Sequence, residues 1–228
     1  HTPFSGVSGA VGVGKIPRQV VFWSGLAFLA IATSLMVMII KIQETNQAAL
    51  FISGLIFIGE LLFALPPIRL VSSGYGELLI SIINVSLIPA LAYLMQGHEI
   101  HRLLAMVVFP LTTLHLGMLL ALEFSDYASD LRQVKRALLI RIGWQRGMVL
   151  HNVLILVSFV LFGIAFILGL PLNVGWPIIL VFPVGLYQVW MMYRISEGDK
   201  PNWNLLILVA ISTFGLAAYI FTFAFWTH

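Results

Sequence analysis

The sequence predicts an all-α protein, a polytopic membrane helix bundle, and two observations carry this prediction. Of the 228 residues, 60% are hydrophobic and only 9% are charged, and the mean hydropathy of +1.02 lies far above the range of soluble domains. Long apolar runs, each close to the ~20 residues that a helix needs to cross the hydrocarbon layer, recur seven times: 19–40, 47–66, 77–96, 103–122, 147–169, 177–193 and 204–226.

The segments between these runs predict how the seven helices connect. Segment 66–77 contains a proline pair and two glycines, so we expect a sharp bend before the third helix. Segment 123–146 is the longest connection and holds eight charged residues. Segment 170–176, by contrast, is short and nearly neutral. We expect residues 1–228 to form a single membrane domain.

The basic residues of the loops predict the orientation of the chain. If each run crosses the membrane once, the side on which the chain begins holds ten of the twelve Lys and Arg residues, and the other side holds only Lys41 and Arg102. The positive-inside rule makes the first side cytoplasmic. The predicted location is the inner (cytoplasmic) membrane, with this N-terminus inside and the C-terminus outside. The pI near 9.4 therefore reflects topology, and no nucleic-acid partner is predicted.

Five polar residues lie inside the apolar runs at a common depth. Each is within about eight residues of the predicted cytoplasmic end, a layer no deeper than roughly 12 Å: Glu60, Asn84, His115, Asn152 and Gln188. Polar groups in a membrane usually face the bundle interior or a wet cavity. The shared depth indicates a cavity open to the cytoplasm, and His115 and Asn84 are predicted to contact substrate there. For each residue singly, the alternative is a hydrogen bond that joins two helices.

Three carboxylates follow the fourth apolar run in a chain that has only nine acidic residues. On a continuing helix, Asp126 and Asp130 are i,i+4 neighbours and Glu123 lies one turn earlier, so the three share a face. Like charges at this spacing repel each other unless a cation lies between them. Mg²⁺, which shares its coordination shell with phosphate oxygens, fits this description. We therefore predict Asp126, Asp130 and Glu123 as metal ligands.

Basic residues flank these carboxylates and predict a phosphate site. Lys135 and Arg141 follow the acidic residues, and Arg69 lies in the bend before the third helix. A bound metal ties carboxylate to phosphate, while Lys and Arg bind the remaining phosphate oxygens. For Arg132 and Arg146, ordinary anchoring at the membrane surface is the preferred interpretation.

The run Asp126-Tyr-Ala-Ser-Asp130, with Lys135 and Arg141 after it, resembles the second aspartate motif of the UbiA superfamily of intramembrane prenyltransferases. The most similar branch prenylates 1,4-dihydroxy-2-naphthoate in menaquinone biosynthesis. The segment 67–77 resembles the loop before the fifth helix of that family, and 2–6 resembles the stretch after its first aspartate motif. The resemblance runs over most of the chain.

The resemblance implies a ring of nine helices around a cytoplasmic cavity, of which this chain would hold seven. It implies that Mg²⁺ binds the diphosphate of an isoprenoid donor, and that the allylic group passes to an aromatic acceptor. Asp126 and Asp130 would bind the metal and act in catalysis. Lys135 and Arg141 would contact the diphosphate or order the loop, and Arg69 would be a further contact. Ubiquinone-type and bacteriochlorophyll-type prenyl transfer stay open as variants.

A second functional class also stays open, that of a non-catalytic subunit that binds lipid or quinone among partner chains in a larger membrane complex. Glu123 stands where the family often has Asn, and Val134 and Ala137 replace its usual Gly and Thr. The family's first aspartate motif would precede His1, so we expect an N-terminally incomplete domain. A transporter ranks third, since the polar layer has no counterpart at the bilayer midplane.

Overall fold

The computed structural model describes residues 16–42, 46–96, 99–132, 137–176 and 178–227. Within these ranges the chain is helical and contains no strand. Seven of the described helical spans are long and apolar enough to cross a membrane. The predicted class, an all-α polytopic membrane bundle, is therefore confirmed.

Each predicted run corresponds to one helical span, and the runs 47–66, 77–96 and 147–169 end one or two residues beyond their helices. Short helices lie in three of the connections: a 3₁₀ turn (Leu70–Ser72), α6 (Leu138–Ile142) and α8 (Leu172–Gly175). The third span comprises α3 (Gly76–Ile82), a π turn (Ile83–Leu87) and α4 (Ile88–Met95). The other six spans are α1 (Arg18–Ile42), α2 (Gln47–Ala64), α5 (Arg102–Arg132), α7 (Trp144–Ile167), α9 (Ile178–Ser196) and α10 (Trp203–Thr227).

The π turn of the third span has a local cause. Pro89 follows it and has no N–H to donate to the carbonyl of Val85, which lies inside the turn. A π turn widens the helix at such a point and keeps the span continuous, whereas an abrupt break would leave several polar backbone groups in the hydrocarbon. Side chains before and after the π turn therefore face different sides of the third span.

Four helices, α5, α7, α9 and α10, form a bundle in which each contacts the next and α10 contacts α5 again. Successive helices run in opposite directions. The centre of this bundle is filled by side chains such as Ile155, Val181 and Ala217. Phe162 of α7 stacks on Phe221 of α10, with ring centroids 5.1 Å apart.

An aromatic cluster closes the end of the bundle at which α5 ends and α7 begins. This end is called the acidic end, because α5 carries its three carboxylates there. Phe124 packs edge-on against Trp144 and lies parallel to Trp203, with centroids 5.0 and 6.2 Å away. Tyr127 packs against Trp144 at 5.1 Å. These contacts extend α5 ten residues beyond the predicted apolar run, which ended at residue 122.

The remaining spans form an outer layer on α5. The third span packs on α5, and α2 packs on the third span. Helix α1 is outermost, and none of the residues in its spanning window is buried. Lipid tails are as apolar as leucine, so an exposed apolar helix is an ordinary lipid-facing surface in a membrane.

We predict that Phe162→Ala lowers the free energy of unfolding in bicelles by about 2 kcal/mol, measured by steric trapping. Phe162 is 1% exposed, and its removal leaves a cavity that neither lipid nor Phe221 can fill. Phe28→Ala, at a position that is 72% exposed on α1, is the control and should have little effect. Equal losses for the two variants would contradict the closed bundle.

Candidate site at the acidic end of helix α5

Helix α5 continues without a break through Asp126 and Asp130, as the interpretation of their spacing requires. The two carboxylates are thus one helical turn apart on a shared face. Asp130 is only 4% exposed, while Asp126 is half-buried. The Ser125 hydroxyl lies 3.5 Å from Asp126 Oδ1, at the limit of hydrogen bonding.

Glu123 contacts a different part of the site. Its Oε2 accepts a hydrogen bond from the backbone N–H of Leu139, at 2.8 Å. Leu139 lies in the first turn of α6, where the N–H groups have no partner within the helix. Glu123 therefore holds the start of α6, the short helix that follows the acidic residues. This contact occupies one oxygen of the carboxylate that was also predicted as a metal ligand.

Arg141 joins two segments that are far apart in the sequence. Its Nη1 donates a hydrogen bond to the Ser73 carbonyl at 3.0 Å. Its guanidinium lies 4.6 Å from the centroid of the Tyr75 ring, a cation–π distance. Helix α6 ends at Ile142, and the next residue is Gly143, whose φ of +85° suits glycine. The bend before the third span is thereby held against the segment that follows the two aspartates.

The other predicted phosphate contacts are placed as follows. Arg69 is exposed in that bend, with a left-handed φ of +40°. Its carbonyl oxygen accepts hydrogen bonds from the N–H and the hydroxyl of Ser72. Lys135 lies outside the described residues.

Asp126 and Asp130 are a pair of candidate metal ligands, not a complete site. Among the described residues, no cluster of three or more His, Cys, Asp or Glu side chains could hold a metal. Mg²⁺ does not need such a cluster, since it commonly binds one or two carboxylates and completes its octahedron with water and phosphate oxygens. The two aspartates fit that mode of binding.

The polar residues of the apolar spans do not meet in one cavity. His115 is buried between the third span and α10: its Nδ1 lies 2.9 Å from the Ser81 hydroxyl, and its ring packs edge-on against Phe214. Asn84 is exposed within the π turn. Gln188 and Asn152 lie elsewhere, at the contact between α7 and α9.

The residue that connects Gln188 and Asn152 is His151, which the sequence reasoning did not single out. It is fully buried. Gln188 Nε2 lies 2.9 Å from His151 Nε2, and Asn152 Oδ1 lies 3.0 Å from His151 Nδ1. An amide N–H can only donate, so the imidazole accepts at Nε2 and donates from Nδ1. The contact between His151 and Gln188 thus links α7 and α9, while Asn152 bonds to the imidazole from within α7.

Glu77 and Ser81 are further residues that the sequence reasoning did not treat as site residues. Both lie on α3, and the Ser81 hydroxyl donates to the Glu77 carbonyl at 2.7 Å. The available signal was their i,i+4 spacing at the predicted cytoplasmic end of the third apolar run. A serine and a single glutamate at a helix start are common, so that signal alone was weak.

A cavity of about 440 Å³ lies between α1, α2 and α4. Its lining is apolar apart from a few side chains, among them Glu60, Thr33 and Ser53. The Thr33 hydroxyl is already bonded to the Leu29 carbonyl of its own helix. Glu60 lines this cavity and thus lies in a different place from His115.

Comparisons with protein-family models, with curated proteins and with solved structures found no match to this chain. The fold and site together define a polytopic α-helical membrane protein with paired aspartates at one end of a four-helix bundle.

We predict that Arg141→Lys makes the bend before the third span about tenfold more susceptible to chymotrypsin at Tyr75, because lysine replaces a planar, stacked donor by a point charge. The cleavage rate in detergent micelles is the measurement. Arg146→Lys, an exposed position in the first turn of α7, is the matched control. Unchanged cleavage in Arg141→Lys would show that the two segments are joined by other contacts.

Proposed function

We propose that this protein is a Mg²⁺-dependent prenyltransferase that moves a polyprenyl group from an isoprenoid diphosphate to an aromatic acceptor such as a naphthoate. The resemblance to the UbiA superfamily suggests the reaction. The observation that carries the proposal is the contact made by Arg141. It brings the bend at 66–77 against the segment after Asp130, and these are two of the segments that carry the resemblance.

The arrangement of charges supports this proposal. The C-terminal end of a helix carries a partial negative charge, so a cation beside the two aspartates in the last turns of α5 is favourable. A bound Mg²⁺ would offset both carboxylates and stabilise the negative charge of a departing diphosphate. Arg69 is exposed in the neighbouring bend and would be a further contact to the diphosphate.

In this proposal, Asp126 and Asp130 hold the metal. Glu123 and Arg141 do not bind it but fix the two segments that surround it. The aromatic cluster of Phe124, Trp144 and Trp203 holds the end of α5 in place. We propose that this end faces the cytoplasm, in agreement with the excess of Lys and Arg in the loops on that side.

We predict that Asp126→Asn and Asp130→Asn, made in the full-length protein, each reduce Mg²⁺-dependent prenyl transfer by about 100-fold or more. Asparagine keeps the shape of the side chain but removes the charge that holds the metal. Transfer of a radiolabelled prenyl group to a hydroxynaphthoate in proteoliposomes is the measurement. Glu197→Gln, an exposed carboxylate at the end of α9, is the control. Normal turnover in both aspartate variants would overturn the proposal.

Glu123→Gln in the same assay separates two roles of Glu123. An amide oxygen can still accept the Leu139 N–H, so a residue that only fixes α6 should lose activity within about tenfold. A loss as deep as that of Asp126→Asn would instead make Glu123 a metal ligand.

The cavity between α1, α2 and α4 favours a second candidate, a non-catalytic subunit that binds lipid or quinone. A pocket of about 440 Å³ with an apolar lining suits an isoprenoid chain. Such a subunit would leave the aspartate pair without a reaction to perform. The two candidates differ in what they need: the enzyme needs Asp126 and Asp130, and the subunit needs the cavity.

For the second candidate, we predict that Ser53→Trp lowers the amount of quinone retained on purification several-fold, because the indole fills the cavity that Ser53 lines. Mass spectrometry of the extracted lipids is the measurement. Ser24→Trp, at an exposed position of α1 outside the cavity lining, is the control. Equal quinone retention in the two variants and the parent protein would argue against this candidate.

A further inference from the structure

Ser81 fixes the tautomer of His115 at the contact between α3 and α5. The Ser81 hydroxyl donates its single hydrogen to the Glu77 carbonyl oxygen, at 2.7 Å. Its oxygen therefore accepts the second hydrogen bond, which His115 Nδ1 donates at 2.9 Å. A neutral imidazole that donates from Nδ1 carries its lone pair on Nε2. His115 is thus set to accept a hydrogen bond at Nε2.

Glu77 Oε2 and His115 Nε2 have no hydrogen-bond partner among the residues that the structure describes. Glu77 Oε2 is shielded from solvent and accepts no hydrogen bond there. His115 makes its described hydrogen bond through Nδ1 alone. Glu77 precedes Ser81 by one turn, so both side chains leave α3 on the face that contacts α5. A buried acceptor without a partner is costly, and a ligand that donates hydrogen bonds would remove that cost.

Glu77, Ser81 and His115 lie deeper in the membrane than the aspartates. Asp126 follows His115 by eleven residues on α5, and Glu77 is one turn nearer to the acidic end than Ser81. At ~1.5 Å per residue, Glu77 lies about 10 Å further into the membrane than Asp126. A diphosphate held at Asp126 would place its prenyl carbon between these two levels.

We propose that Glu77 and His115 bind the hydroxyl groups of the aromatic acceptor, each accepting a hydrogen bond from one of them. Ser81 is the positioning residue, since it acts through the imidazole. The inference rests on the proposed prenyl transfer and names the acceptor side of the same site. A hydrogen bond accepted from a ring hydroxyl leaves more electron density on the ring, and the ring carbon is the atom that attacks the prenyl group.

The test compares two probes that differ only in their ability to donate: 1,4-dihydroxy-2-naphthoate, kept reduced, and its dimethyl ether. Binding to the full-length protein is measured without Mg²⁺ and without a prenyl donor, so catalysis does not contribute. We expect the dihydroxy probe to bind at least about tenfold more tightly. Glu77→Gln and Ser81→Ala should each reduce this ratio, with little change in binding of the ether.

Two further variants control the test. Glu197→Gln makes the same carboxylate-to-amide change outside the site and should keep the ratio. Glu77→Leu removes the hydrogen-bond acceptor altogether. The preference for the dihydroxy probe over the ether should therefore fall by the full contribution of Glu77. Because Glu77 Oε2 has no hydrogen bond to lose, Glu77→Leu should melt in detergent at the same temperature as Glu77→Gln, which loses the same charge in the first turn of α3; this separates lost binding from lost folding.

The outcomes separate this inference from the proposed function. A parent protein that binds both probes equally overturns the acceptor subsite, whether or not Asp126-dependent transfer is found. An unchanged ratio in Glu77→Gln, Glu77→Leu and Ser81→Ala overturns it as well. A ratio that depends on Glu77, in a protein whose transfer does not depend on Asp126 and Asp130, supports the subsite and overturns the metal site.

Discussion

The burial of α5 is the constraint on which the rest of the structure depends. This helix contacts α7 and α10 in the bundle and the third span in the outer layer, so it belongs to both. Its last three turns carry three carboxylates near the negative end of the helix, where a nearby cation is favourable. Phe124 and Tyr127 keep those turns helical by packing against Trp144. Packing therefore holds the aspartates in a geometry that a bound cation would stabilise.

Several polar side chains within the spans form hydrogen bonds that join neighbouring helices. The Ser158 hydroxyl donates to the Pro110 carbonyl across α7 and α5, at 2.9 Å. The same carbonyl accepts a second side-chain hydrogen bond, from the Thr113 hydroxyl of its own helix at 2.8 Å. His151 and Gln188 link α7 and α9 in the same manner. Against this background, the unpartnered Glu77 Oε2 is an exception among the described residues, together with Gln188 Oε1.

Some features could be predicted from local sequence and others could not. Apolar run length gives the seven spans, because one helix must satisfy its own backbone in lipid. It missed the end of α5, since Phe124 and Tyr127 are held by tryptophans from other helices. The shared depth of Glu60, His115 and Gln188 indicated one cavity, but depth carries no information about which helices are neighbours. The structure places these residues in three different environments.

The sequence by itself determined the class of protein, the number of spans and the alignment of Asp126 with Asp130. These follow from composition, from the thickness of a bilayer and from 3.6 residues per turn. Only the tertiary structure decided that Arg141 reaches Ser73, that Glu123 contacts Leu139, and that Ser81 sets the tautomer of His115. Each of these joins residues far apart in the chain. Their pairing depends on how apolar helices pack together, which in lipid is set by shape and hydrogen bonding, not by hydrophobicity.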